Sequence, residues 1–262
     1  MKHKYSSAIL YSGGLDSSAT LFHLERTGVI DFDDTLALHF DYGQVAFEHE
    51  QRAIIDMQHW MCFHRGGAFD VRTIQMDVYR HMVNTGVKGL PRLLQFGDSS
   101  NFTIPWRNYL MVMHALALCE MLEIETLYTT MGYHDDGGIW DNTPPAFATL
   151  QRFLDEIASQ LRNTDPGTAT TRVFSPTYNK SRKEWVSQEI DEGFPYQHTY
   201  SCWYYDGYDG PQRFNGRLER GPCGACKCYH SRKEVLDYAL DPWQAPLKPN
   251  YIPYRSPAEQ QQ

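Results

Sequence analysis

Positive charge is what this sequence has too little of. Its 24 Lys and Arg are outnumbered by 32 Asp and Glu, which leaves a formal net charge of −8 over 262 residues. A protein that grips a nucleic-acid backbone does so with a surplus of cations, so the balance argues against nucleic acid as the main partner. Long apolar runs are also missing. No stretch approaches the roughly 18–20 apolar residues of a membrane helix. Lys2, His3 and Lys4 precede an apolar run too short for a secretory leader. The expectation is a cytoplasmic protein with no membrane partner. Cysteine is scarce outside one stretch. Cys62 and Cys119 stand alone in apolar helical patterns and are expected to be buried thiols. The other four, Cys202, Cys223, Cys226 and Cys228, fall within 27 residues. In a reducing compartment such a cluster reads as metal ligands before disulfides.

What is present is enough apolar material, 42% of residues, for one domain with a substantial core. Short apolar runs at 6–12, 34–40, 69–76 and 126–131 read as strands. Helical patterns at 15–27, 45–63 and 107–122 alternate with them. That alternation predicts βα units and an α/β fold with a doubly wound parallel sheet. Residues 77–105 read as a loop with a short helix. The tail from Asp241 carries five prolines and cannot be one helix. The expected organisation is a nucleotide-binding domain over 1–195, a cysteine-rich segment over 196–240 packed on it, and a Pro-rich tail over 241–262.

The first strand and helix meet in an unusual junction, "AILYSGGLDSSATLFHL", at 8–24. In open parallel sheets ligands bind at the carboxyl ends of the strands. A glycine-rich turn there exposes backbone N–H groups, and the next helix aims its positive end at the same point. Ser12, Gly13, Gly14, Ser17 and Ser18 are therefore candidates to cradle phosphate, flanked by Tyr11 and Leu15. No Gly-Lys-Ser/Thr follows, so this is not the Walker form. Asp16 would repel phosphate unless a divalent cation lay between them, which implies Mg²⁺.

The full string "SGGLDSS" resembles the signature of the PP-loop ATP pyrophosphatases, with their adenine nucleotide alpha hydrolase-like fold. That resemblance implies ATP as the cofactor and an adenylated substrate. Four further stretches resemble one branch, the 7-cyano-7-deazaguanine synthases of the QueC family: "HFDYGQVAFEHE" (39–50), "FTIPWRN" (102–108), "SPTYNKSRKEW" (175–185) and "YSCWYY…GPCGACKCYHSR" (200–232). The implied chemistry activates a small-molecule carboxylate, 7-carboxy-7-deazaguanine, with ATP. Ammonia then gives an amide, and a second ATP dehydrates the amide to the nitrile. By this resemblance Arg107 and Lys180 are the cations for the phosphates. Asn108 is a hydrogen-bonding residue beside Arg107, and Asp41 and Gln44 edge the pocket. The cysteines Cys202, Cys223, Cys226 and Cys228 hold structural Zn²⁺ in a small C-terminal segment, with His230 as an alternative ligand. A homodimer is common in the family, and a Pro-rich tail suits an exchanged arm.

Two stretches depart from the branch pattern. The pocket element "DDGGIWDNTPPAF" (135–147), anchored on Phe147, puts Trp140 where the family has tyrosine and Asn142 where it has an acid. An acid only accepts hydrogen bonds, whereas an amide also donates, which changes the edge it prefers. Asp135, Asp136 and Asp141 are the other acceptors there. Position 229 is Tyr, and the third cysteine of the zinc element has moved to 228. Two rival readings stand beside the main one: a QueC-like enzyme that adenylates another carboxylate in a DNA-modification or antiviral system, and a non-catalytic relative that keeps ATP as a ligand.

Overall fold

The computed structural model describes residues 4–44, 46–77, 106–134, 140–164, 170–201, 212–214, 217–219 and 227–240. Five parallel strands form the central sheet in the order β3-β2-β1-β4-β5: β1 Ser7–Leu10, β2 Thr35–Asp41, β3 Asp70–Gln75, β4 Thr126–Tyr128 and β5 Arg172–Phe174. The register runs Ser7↔Thr35 on one side of β1 and Ser7↔Thr126 on the other. The chain winds outward from β1 through β2 to β3, then returns to the far side of β1 for β4. The strand order thus reverses beside β1, where open sheets of this kind place their ligands.

Helices cover both faces: α1 Leu15–Arg26, α2 Phe47–Arg65, α3 Arg107–Met121, α4 Pro144–Thr164, α5 Arg182–Asp191 and α6 Lys227–Leu240. The strands feed the two layers alternately. Ile9 and Ala37 enter a cluster with Phe22, Met57, Trp185 and Leu236, whereas Ala8, Leu36 and Leu38 enter one with Val112, Ala115 and Leu150. Every residue of β2 is buried, as a strand covered on both faces requires. The doubly wound α/β fold read from the sequence is therefore the observed one. A separate antiparallel pair, β6 Gln212–Phe214 with β7 Arg217–Glu219, was not foreseen, and neither were β5 and α4–α6. Among the described residues, no helix is long and apolar enough to cross a membrane.

One expectation about the cysteines is corrected. Cys119 is buried, and its thiol is pushed up to about 12 by desolvation. Cys62 is exposed. It follows Met61 on α2, and the helix turns Met57 and Met61 into the core while position 62 faces out. The zinc-segment cysteines Cys202, Cys223 and Cys226, the side chain of Cys228, and the Pro-rich tail lie outside the described residues.

Candidate active site

A cavity of about 280 Å³ opens at the carboxyl ends of β1, β2 and β4. Its wall on the β1 side is the Ser12–Ser17 turn. Gly13 sits there at φ +71°, and a Cβ on it would lie 2.9 Å from the Glu50 carbonyl and 3.0 Å from Ile54. Only glycine allows both the left-handed backbone and this approach to α2. The donors of the turn are held by long bonds to hydroxyls. Ser12 N–H donates to Ser17 Oγ at 3.3 Å, Gly14 N–H to Ser12 Oγ at 3.3 Å, and Leu15 N–H to Ser201 Oγ at 3.1 Å. Neutral hydroxyl acceptors at such lengths are readily replaced by an anionic oxygen, which forms shorter and stronger bonds.

Asp16 lies in the first turn of α1. The Arg182 guanidinium grips its carboxylate in a fork, Nε to Oδ1 at 2.7 Å and Nη2 to Oδ2 at 3.0 Å. Arg182 is itself buried and donates to the hydroxyl of Ser231 on α6. Arg232 lies close enough for Asp16 and Arg182 to act on it. Desolvation brings its guanidinium down to about 10, Asp16 opposes that fall, and Arg182 adds to it. It donates to Thr199 Oγ1 at 2.5 Å and Tyr196 O at 2.9 Å.

The structure brings Tyr11, Ser12, Gly14, Leu15, Asp16, Ser17, Gln44, Arg107, Asn108 and Asn142 to this cavity. It directs other expected residues elsewhere. The Ser18 hydroxyl is buried against Tyr11 Oη at 3.2 Å, and Gly13 packs under α2. Asp41 accepts from Gly43 N–H at 3.0 Å and so shapes the turn after β2. The Lys180 ammonium sits 4.1 Å from the centre of the Trp185 ring. The cation that reaches the Ser12–Ser17 turn is Arg182, two residues on. The Ser181 hydroxyl accepts from Glu184 N–H and starts α5 just before it. Arg107 lies over Tyr42, 5.7 Å from ring centre, and donates to its hydroxyl at 3.3 Å. Asn108 donates to buried Asp141, whose carboxylate also accepts the Asn108 N–H at 3.2 Å and caps α3. Asp135, Asp136 and the Trp140 side chain lie outside the described residues.

The far wall holds two groups that sequence reasoning did not assign. Glu50 on α2 accepts from Gln44 Nε2 at 2.8 Å, and its Oε2 is 3.8 Å from His39 Nε2. His39 is buried, with its Nδ1 3.2 Å from the Tyr11 carbonyl. Both residues line the cavity. An acid on the inward face of the helix after "DYGQ" was the available signal.

The family model described as "Queuosine biosynthesis protein QueC" matches residues 6–239. The chain is 24% identical over 194 residues to the 7-cyano-7-deazaguanine synthase of Campylobacter concisus, covering 74% of this chain and 82% of that protein. It is 23% identical over 258 residues to the synthase of Persephonella marina, covering 93% and 98% respectively. Among solved structures it is similar to the U34-tRNA thiolase NcsA from Methanococcus maripaludis with its [4Fe-4S] cluster. The TM-score there is 0.40 and the identity 12%, covering 74% of this chain and 62% of that one, less than two thirds of its length.

Proposed function

The chain belongs to the QueC family, and from that premise we propose that it is an ATP-dependent C–N ligase. It converts 7-carboxy-7-deazaguanine and ammonia to 7-cyano-7-deazaguanine in the cytoplasm. The observation that carries the reading is the anion-ready turn Ser12–Ser17, faced by Arg182 and Arg107 within one cavity. A carboxylate is a poor electrophile, and transfer of AMP to it creates a good leaving group. The protein's part is to hold the α-phosphate in line and to neutralise the charge that builds on it. The turn N–H groups and hydroxyls take phosphate oxygens. Arg107 and Arg182 supply the positive charge, so Arg182 takes the role that the sequence assigned to Lys180. Asn142 and Asn108 orient the nucleotide and the acid.

Two metals belong to this reading. Mg²⁺ characteristically binds one or two carboxylates and completes its shell with phosphate and water. Asp16 offers one carboxylate at the turn, 31% exposed, which fits an ion that arrives with the nucleotide. That ion would neutralise phosphate charge. Among the described residues no cluster of three or more ligands holds a metal, so structural Zn²⁺ rests on the spacing of Cys202, Cys223, Cys226 and Cys228.

The pocket amide favours one alternative. Asn142 lines the cavity where an acid would suit a guanine-like edge, so a different carboxylate is the second reading. The test is incubation with ATP, ammonium and 7-carboxy-7-deazaguanine, reading pyrophosphate, AMP and product mass. The nitrile is expected. Pyrophosphate release with another carboxylate but not with this one would refute the nucleobase substrate. No pyrophosphate release with any acid would favour a non-catalytic protein that keeps ATP as a ligand.

A further inference from the structure

The mechanism so far uses the anion-facing half of the cavity and leaves its opposite wall idle. That wall carries a carboxylate with no cation in hydrogen-bonding contact among the described residues. The Glu50 side chain is 16% exposed, lines the cavity, and is held from behind by Gln44 Nε2 at 2.8 Å. Gln44 is locked in turn by its bonds to the Phe40 carbonyl and the Tyr42 N–H, both 2.8–2.9 Å. His39 faces the same carboxylate across 3.8 Å. With Nδ1 3.2 Å from the Tyr11 carbonyl, the neutral imidazole donates there and turns a lone pair at Nε2 toward Glu50. Nε2 is buried and without a hydrogen-bond partner among the described residues. A carboxylate and an imidazole lone pair thus face each other across 3.8 Å in the wall of a ligand cavity. Burying the His39 nitrogen unsatisfied costs stability, and a cost of that kind is tolerated at functional positions.

We propose that Glu50, positioned by Gln44 and His39, is the proton acceptor for the nitrogen nucleophile. The inference rests on the reading above. Ammonia attacks the acyl carbon of the adenylate with its lone pair, which forms the C–N bond. The carbonyl π pair moves to oxygen and returns as the C–O bond to AMP breaks, and AMP leaves with that bonding pair. One N–H bond of the resulting ammonium breaks. Its proton passes to Glu50 and its electron pair stays on nitrogen as the amide lone pair.

The local charges support such a role. Burial pushes the Glu50 carboxyl up to about 7, Asp41 on β2 adds to the rise, and Gln44 and Arg107 on α3 oppose it. Burial likewise lowers His39, against the Tyr11 carbonyl and Asp41. A base of that strength takes a proton and returns it near neutral pH.

The experiment separates the two half-reactions in the full chain. ATP–pyrophosphate exchange with 7-carboxy-7-deazaguanine reads adenylation, and amide plus nitrile formation with ammonium chloride reads aminolysis. Glu50→Gln keeps the shape and the contact with Gln44. It is expected to leave exchange within about 3-fold, lower aminolysis at least ~100-fold as loss of a general base does, and erase an acid limb near pH 7. Glu50→Asp, which keeps a carboxylate, is expected to recover part of the rate and restore the limb. Equal losses in both half-reactions would show a structural role and overturn the proposal, as would undiminished aminolysis. If the wild-type protein shows no exchange with this acid, the substrate reading falls and takes the proposal with it. A normal wild-type exchange with an unaffected Glu50→Gln sinks the proposal alone.

Discussion

The two ends of the sheet make opposite kinds of hollow. At the amino ends of the strands lies the larger one, about 520 Å³, walled by Asp31, Asp33, Asp34 and Glu25. Three of these carboxylates are already engaged locally. Arg65 pairs with Glu25 at 2.8 Å, Asp31 accepts from Asp33 N–H at 3.0 Å, and Asp34 accepts from the Ser6 hydroxyl at 2.9 Å. At the carboxyl ends lies a cavity of about half that volume, where turn N–H groups rest on hydroxyls and, among the described residues, a buried imidazole nitrogen has no hydrogen-bond partner. Volume does not make a site. What separates the two ends is whether polar groups have found their partners within the fold or still have bonds to give.

The comparison breaks most sharply at Asp16. Asp16→Asn should lower pyrophosphate release at least ~100-fold, about 2.7 kcal/mol of barrier, with an unchanged circular dichroism spectrum. Unchanged turnover at saturating Mg²⁺ would remove Asp16 from the machinery. Asn142→Asp should sharpen the contrast by adding charge to the cavity wall. A charge-assisted bond to a guanine-like edge is worth roughly 1.5–3 kcal/mol, so KM for 7-carboxy-7-deazaguanine should fall at least ~10-fold. A higher KM would count against that pose.

Glu50 supplies a smaller, pH-dependent effect. Its folded carboxyl at about 7 lies above the ordinary value of 4.5, so the native state holds the proton more tightly than the unfolded chain. That contribution to stability is complete below about 4.5 and is lost as pH rises through about 7. Glu50→Gln cannot ionise. Its melting temperature should therefore gain on the wild type between pH 5 and pH 8, by at least ~2 °C for a chain of this size. A difference that does not change with pH would contradict the buried-charge account. The smallest effect belongs to the amino end, where Asp33→Asn should leave KM and kcat within about 2-fold, as a surface change away from any site does. A large kinetic loss there would erase the distinction between the two hollows.

Much of the carboxyl end was legible because its chemistry is local. The Ser12–Ser18 turn joins a strand and a helix in one short run, so periodicity and glycine placed it without help from the rest of the chain. Arg107 was legible for the same reason, since it opens a strongly apolar helix. Arg182 was not, because its role depends on a contact 166 positions away with Asp16. Lys180 stood beside it with the same charge, and only the capped start of α5 decides which of the two side chains reaches the turn. Cys62 misled in another way. An apolar surrounding sequence does not say which side of a helix a residue occupies when exposed Phe63 and buried Met61 flank it. β5, three residues long with only Val173 buried, lacks the apolar run that gave β4 away.

The contact of Ser201 with the turn has a thermodynamic corollary. On the proposed reading Leu15 N–H is a donor for phosphate, and it is already bound to the Ser201 hydroxyl, while Tyr200 N–H is tied to the Gly13 carbonyl at 2.9 Å. A ligand that takes Leu15 N–H must first evict the protein's own side chain. That internal competitor lowers the apparent affinity by the worth of one hydrogen bond, about 1 kcal/mol or roughly 5-fold. Linkage makes the effect mutual: whatever draws residues 199–201 away from the turn tightens the grip on phosphate, and phosphate in the turn loosens that segment by the same factor.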